Sequence, residues 1–119
     1  MNYSSRSDRD MLVYSLHGKL MGGPDADPFH DDIRAECAKS PKKVILDLSD
    51  VEWMNSWGVG LLVSVYTTAQ NTGSRLRVAA CAPKVCSVLR LTQFDKVLEM
   101  FPTVDDATRD FDLKTANMN

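Results

Sequence analysis

Apolar positions along the chain come in two kinds, short runs of strand length and longer segments with helical spacing. Tyr3-Ser4-Ser5-Arg6 is a weak strand pattern closed by the polar turn Ser7-Asp8-Arg9-Asp10. Met11-Leu12-Val13-Tyr14-Ser15-Leu16 is a stronger one, and the two predict an antiparallel hairpin. Gly18 and Gly22-Gly23-Pro24 mark loop, with Leu20 and Met21 as apolar residues between them. Asp27-Pro28 supplies an acidic cap and a proline at the first helical position. Phe29, Ile33 and Cys37 then recur every four residues until Ser40-Pro41 ends the helix. Val44 to Leu48 is a nearly continuous apolar run, broken only by Asp47, as in a central strand covered on both faces.

A short acidic connection, Ser49 to Met54, leads to Asn55-Ser56, where the apolar spacing becomes helical. Asn and Ser readily receive the free N–H groups of a helix start, so a helix is predicted from this point to Gly73. At 100° per residue, Gly58, Leu61, Leu62, Val65, Tyr66 and Ala69 share one broad face directed at the sheet. Gly60, Ser64, Thr67 and Asn71 centre the opposite face, flanked by Trp57 and Val63. Arg75 to Ala79 is the next strand, and Pro83 opens a third helix with Val85, Val88 and Leu89 inward. After the turn Thr92-Gln93-Phe94-Asp95 comes a short strand, Val97 to Phe101. Thr103-x-x-Asp106 resembles a capping box for a last helix with Ala107 and Phe111 inward.

The order strand–strand–helix–strand–helix–strand–helix–strand–helix is an α/β pattern. It predicts one small domain over residues 1–113, with a mixed, mostly parallel sheet of about five strands and about four helices, and a loose tail over 114–119. In open sheets of this kind function collects beyond the carboxyl ends of the strands, where Asn55-Ser56 falls.

Composition narrows the function. The 119 residues are 44% hydrophobic and 25% charged, enough apolar material for one core. A net charge of −2 with scattered basic residues gives no nucleic-acid footprint, and Lys42-Lys43 reads as a solvated strand edge. No apolar run approaches the ~18 residues needed to cross a bilayer, and no signal-peptide pattern is read, so a cytoplasmic protein without membrane insertion is expected. Cys37, Cys81 and Cys86, an odd number with no C-x-x-C pattern, are expected as buried, reduced thiols. The Gly22-Gly23 pair lacks the further glycines and lysine of a phosphate cradle.

Catalysis at Ser56 would need a base. Only His17 and His30 are present, the first expected at a strand end opposite the functional edge and the second in a helix's first turn. No G-x-S-x-G elbow exists, so no enzyme, metal or cofactor is expected.

The chain resembles the STAS family, the domain of anti-sigma factor antagonists and sulfate-transporter tails. The resemblance rests on Val44-Ile45-Leu46-Asp47-Leu48-Ser49, Val51, Asn55-Ser56-Trp57-Gly58 and Gly60-Leu61-Leu62. Gly18-Lys19-Leu20, Gly73-Ser74-Arg75-Leu76, Val88-Leu89-Arg90-Leu91-Thr92 and Asp105-Asp106-Ala107 match further landmarks in order, from about residue 3 to 112. In the antagonist branch the corresponding serine is phosphorylated by the anti-sigma factor, a serine kinase of the histidine-kinase-like ATPase type. Unmodified antagonist binds that partner and frees sigma; phosphorylated antagonist is released until a metal-dependent phosphatase restores it. The resemblance thus implies Ser56 as phosphoacceptor and a partner face including Asn55, Trp57, Gly58, Gly60, Val63, Asp47 and Asp25 in a monomer or weak dimer. Asn55 stands where the family has Asp, and Trp57 where it has a small residue. The alternative is a STAS scaffold, or an accessory of a lipid or anion transporter, in which Ser56 only caps its helix.

Overall fold

The computed structural model describes residues 1–8, 10–21 and 27–117, the side chains of 27 and 112–117 excepted. Strands β1 (Asn2–Asp8) and β2 (Met11–Leu20) pair antiparallel, with Asn2 opposite His17 and Ser7 opposite Leu12. Helix α1 (Asp27–Lys39) carries the chain back, so that β3 (Lys43–Met54) lies parallel to β2. Helix α2 (Ser56–Asn71), strand β4 (Arg75–Ala79), helix α3 (Pro83–Leu91), strand β5 (Glu99–Phe101) and helix α4 (Val104–Asn117) follow. The sheet order is β1-β2-β3-β4-β5, with every pair after the hairpin parallel. This is the five-stranded, four-helix α/β domain that the pattern predicts.

Because the strands are added in one direction, crossovers of one hand place α1, α2 and α3 on the same face. That face holds the main core, where the expected α1 stripe of Phe29, Ile33 and Cys37 is buried. Tyr14 meets Phe29 edge-on, ring centroids 5.7 Å apart, and Tyr3 closes the group at 5.4 Å from Phe29. Helix α2 buries Gly58, Val59, Leu61, Leu62, Val65 and Ala69; Val59 joins the expected stripe, and Tyr66 is only half-buried. Of the expected box at α4 the helix-capping half is formed, the Thr103 hydroxyl accepting the Asp106 N–H at 3.0 Å.

Helix α4 alone covers the second face, through Ala107 and Phe111 against Val13, Ile45 and Ala79. Arg77 of β4 shares this small core and is fully buried. Its guanidinium stacks 3.8 Å from the Phe111 ring centroid and 5.2 Å from that of Phe101. Glu99, 3.2 Å away, and Asp110 supply the opposing charge.

Four sequence expectations need correction. Strands β2 and β3 do not stop at Leu16 and Leu48 but continue to Leu20 and Met54. In β3 buried Leu48, Val51 and Met54 are three apart rather than two, because register shifts let β3 take up extra residues against β2. The break in alternation made this stretch read as a connection. The terminal strand is shortened to Glu99–Phe101 by a tight turn at Phe94–Lys96. Cys81 and Cys86 are joined as a disulfide rather than held as separate thiols, their Cα atoms 5.6 Å apart, while Cys37 is a buried free thiol. Finally, α4 extends through Asn117, into the stretch expected as a loose tail.

Two expectations follow from this packing. Arg77→Met keeps an unbranched stem between the rings and removes the charge, and should change stability by less than about 1.5 kcal/mol. Asp110→Ala leaves the buried guanidinium facing only half-exposed Glu99, and should cost about 3 kcal/mol in urea unfolding. A larger loss for Arg77→Met would show that the charge itself, and not the filled space between the rings, holds α4 in place. The Tyr14 hydroxyl is pushed above the ordinary tyrosine value by burial first, then by Asp32, Glu36, Cys37 and Tyr3. A raised folded-state value means the contribution is complete below the unfolded value of 10.0 and is lost as pH rises above it. Denaturation midpoints should therefore fall progressively as pH rises above 10.0, and Tyr14→Phe should flatten that fall.

Candidate functional site

Strand β4 pairs with β3 only from Lys43 to Asp47. Beyond this point β3 is bonded to β2 alone, so the stretch from Leu48 to Met54 projects as a two-stranded ribbon with His17 to Leu20. At its tip the Asn55 N–H donates to the Leu20 carbonyl at 3.3 Å. The Asn55 backbone is extended (φ −111°, ψ −173°), and its side-chain Oδ1 accepts the Gly58 N–H at 3.0 Å. Asn55 is therefore the cap of α2, and the Asn55 carbonyl starts the helical ladder by accepting the Val59 N–H at 3.1 Å. A Cβ on Gly58 would collide with the Leu20 carbonyl oxygen and lie 2.8 Å from Met54 Cγ, so only glycine lets α2 approach the ribbon this closely.

Ser56 is consequently the first helical residue and takes no part in the cap. Its side chain is exposed, and no hydrogen bond engages the hydroxyl among the described residues. The first turn of α2 carries no acidic side chain, which leaves the positive end of the helix uncompensated there. Trp57 follows at 72% exposure, and Trp53, on the ribbon, is 45% exposed, as is Met21. Trp53 and Met21 are additions to the sequence-predicted set. Had the strand pattern been carried past Ser49, the outward position of Trp53 would have been readable.

Of the other predicted residues, Gly60 is exposed with open space where a Cβ would stand. Val63 is half-buried against the main core. Asp47 sits at the root of the ribbon, accepting the Ser49 N–H at 3.0 Å and the Ser15 hydroxyl at 3.4 Å. The structure thus gathers Asn55, Ser56, Trp57, Gly58 and Gly60 on the first turns of α2 and leaves Asp47 at the base. Asp25 lies outside the described residues.

Of the two histidines, His30 is in the first turn of α1 as expected, and His17 is placed differently from expectation. Because β2 runs parallel to β3, His17 lies toward the carboxyl end of the sheet, on the functional edge rather than opposite it. Its Nδ1 is 2.9 Å from Asp50 Oδ2 and its Nε2 3.4 Å from the Ser4 hydroxyl. With Glu52 and the start of α3 at Ala82, Pro83 and Lys84, they line an open cleft of about 730 Å³. His30 instead ties α1 to α2 through the Thr68 hydroxyl at 2.8 Å. Neither has a hydrogen bond to Ser56, and no cluster of three metal-ligating side chains occurs among the described residues.

Comparison with known proteins finds the same fold. The model of the STAS domain matches residues 2–107. The chain belongs to the STAS domain family. A Thermotoga maritima protein named as a candidate anti-sigma factor antagonist is 30% identical over 69 residues, 58% of this chain. This STAS chain spans 61% of the length of that curated relative. Among solved structures, an anti-sigma factor antagonist from Mycobacterium paratuberculosis superposes with a TM-score of 0.78 at 28% identity, covering 92% of both chains. The antagonist SpoIIAA in its unphosphorylated form gives a TM-score of 0.79 at 18% identity, over 92% of this chain and 96% of that one. Its phosphorylated form gives 0.73 at 17% identity, over 92% and 99%.

The geometry separates neighbouring positions of one helix. Gly58→Ala should destabilise by about 3 kcal/mol through overpacking against Leu20. Gly60→Ala should gain about 0.5–1 kcal/mol, since a helix-interior glycine is replaced where nothing is in the way. Trp57→Ala should stay within about 0.5 kcal/mol of the parent protein. Denaturant midpoints check all three, and a large loss at Trp57 would make it a core residue.

Proposed function

We propose that this STAS domain is an anti-sigma factor antagonist acting in the cytoplasm, switched by phosphorylation of Ser56. The observation that carries this reading is the free, exposed Ser56 hydroxyl beside Trp57, with capping already done by Asn55. A serine that only capped its helix would have its oxygen on a backbone N–H; here Asn55 holds that bond. The antagonist relatives support an anti-sigma factor as partner; in this reading it is also a serine kinase of the histidine-kinase-like ATPase type.

In this reading the kinase transfers the γ-phosphoryl of ATP to Ser56 Oγ, ADP leaves, and the hydroxyl proton passes to a base of the kinase. The added group carries about −1.5 to −2 charge. It meets the N-terminal end of α2, whose leading N–H groups and dipole favour an anion, so the fold tolerates it. The partner face does not. A dianion buried opposite a surface fitted to neutral Ser56 and apolar Trp57 costs on the order of 3–5 kcal/mol. At about 1.4 kcal/mol per tenfold in affinity, that releases the partner. A metal-dependent serine phosphatase, whose metal belongs to that enzyme, hydrolyses the ester and restores binding. This chain supplies the acceptor and the docking surface, and no catalytic group.

Asn55, which keeps the capping oxygen but lacks the charge of the family's usual Asp, favours a second reading as an unmodified scaffold or transporter accessory. Incubation with ATP, magnesium and a candidate anti-sigma factor of the kinase-like ATPase type from the same genome decides between them. The first reading expects a gain of one phosphate by intact mass, lost in Ser56→Ala. Calorimetry with the same ATPase should find Ser56→Ala bound like the parent protein. Ser56→Glu should be weakened about a hundredfold or more. Equal affinities for the parent, Ser56→Ala and Ser56→Glu proteins would remove the phosphoswitch.

A further inference from the structure

The link from β4 to α3 combines three features that the function proposed above does not use. Ala80 is in the left-handed region at φ +64°, a conformation that a residue with a Cβ rarely adopts. Its N–H is held by the Phe101 carbonyl at 3.0 Å. Two residues later α3 begins with Ala82 at the cap position and no side-chain bond to its first turn, Pro83 being the first helical residue. Across this uncapped start the Cys81–Cys86 disulfide closes a loop containing Ala82, Pro83 and Lys84. Those three residues form the wall of the cleft that faces His17 and Asp50. Both cysteines are partly exposed, so small molecules reach them.

We infer that Cys81 and Cys86 are a reversible dithiol–disulfide couple, opened and closed by low-molecular-weight thiols and disulfides, whose state sets the order of the first turn of α3. The geometry accommodates both states. Closed, the covalent strap spans Cα atoms 5.6 Å apart, within the range a disulfide needs without backbone movement. In the structure the Cys86 sulfur lies 3.2 Å from the Cys81 carbonyl oxygen, an acceptor within reach of the thiol proton that opening the bond would create. Closure proceeds by two exchanges. A thiolate of the pair attacks one sulfur of a small disulfide, forming a mixed disulfide and expelling one small thiolate. The second cysteine, as thiolate, then attacks the protein sulfur, forming the Cys81–Cys86 bond and expelling the other. Two protein thiols are oxidised, one small disulfide is reduced, and the two thiol protons end on the released thiols.

Closing the loop removes freedom from the segment that no side chain caps, and the amides of its first turn report this directly. The full chain is equilibrated with glutathione and glutathione disulfide at graded ratios, alkylated and weighed, and the two end states are compared by hydrogen exchange. The expected result is paired loss of two thiols, with no retained glutathione and with Cys37 not consumed. The Cys86 and Ser87 amides should exchange on the order of tenfold more slowly in the disulfide form, with β3 and β4 unchanged. Cys86→Ser, and independently Cys81→Ser, should exchange at the dithiol rate in both buffers. Failure to close at any ratio, a cross-linked dimer as product, or equal exchange in the two states would each overturn the inference.

Discussion

The position of the candidate site depends on one carbonyl oxygen. Leu20 O, at the end of β2, accepts the Asn55 N–H and faces the place where a side chain at Gly58 would have stood. The first contact fixes where β3 ends, and the second fixes how closely the new helix descends onto the ribbon. Asn55 then folds its side chain over the Gly58 N–H, so that the turn from strand to helix is closed by a single residue. The Ser56 hydroxyl is left uncommitted because Asn55 already makes the capping bond. An acceptor held in this manner keeps one orientation whether or not anything is bound to it.

The two faces of the sheet are held by different physics. On the first, α1, α2 and α3 bury aliphatic and aromatic side chains continuous with the sheet. On the second, α4 contributes little apolar area, and a buried guanidinium between two rings supplies what area does not. Arg77 is matched on both sides by carboxylates that reach toward solvent, which relieves part of the desolvation cost such a charge carries.

Much of this was legible in the sequence because local signals agreed with the global arrangement. The strand–helix alternation gave the order of elements, and the spacing of Phe29, Ile33 and Cys37 gave the buried stripe of α1. Asn55-Ser56 marked the start of α2 to the residue, although which of the two would cap it was not decidable from residue type alone. What failed has a common cause. Bulges alter the period of β3, so Ser49, Asp50 and Glu52 read as a connection, and Trp53 went unnoticed as a surface residue. The hairpin alone does not say whether β2 runs with or against β3; their parallel pairing does, and it puts His17 at the carboxyl end of the sheet. The pairing of Cys81 with Cys86 depends on how the chain turns after Ala80, and spacing does not encode that turn.

The unequal lengths of β3 and β4 have a mechanical consequence. Only five of the twelve β3 residues are gripped on both margins; the remainder is flanked on one side and interrupted by bulges. Toward Met54 the fastening passes from ladder bonds to side chains, since Leu48, Val51 and Met54 are buried in the main core. The margin that β4 leaves open is bounded by no further strand among the described residues, and the half-exposed indole of Trp53 stands on the outward side of the same stretch. A visiting surface therefore meets that indole on an arm anchored from beneath by the interior.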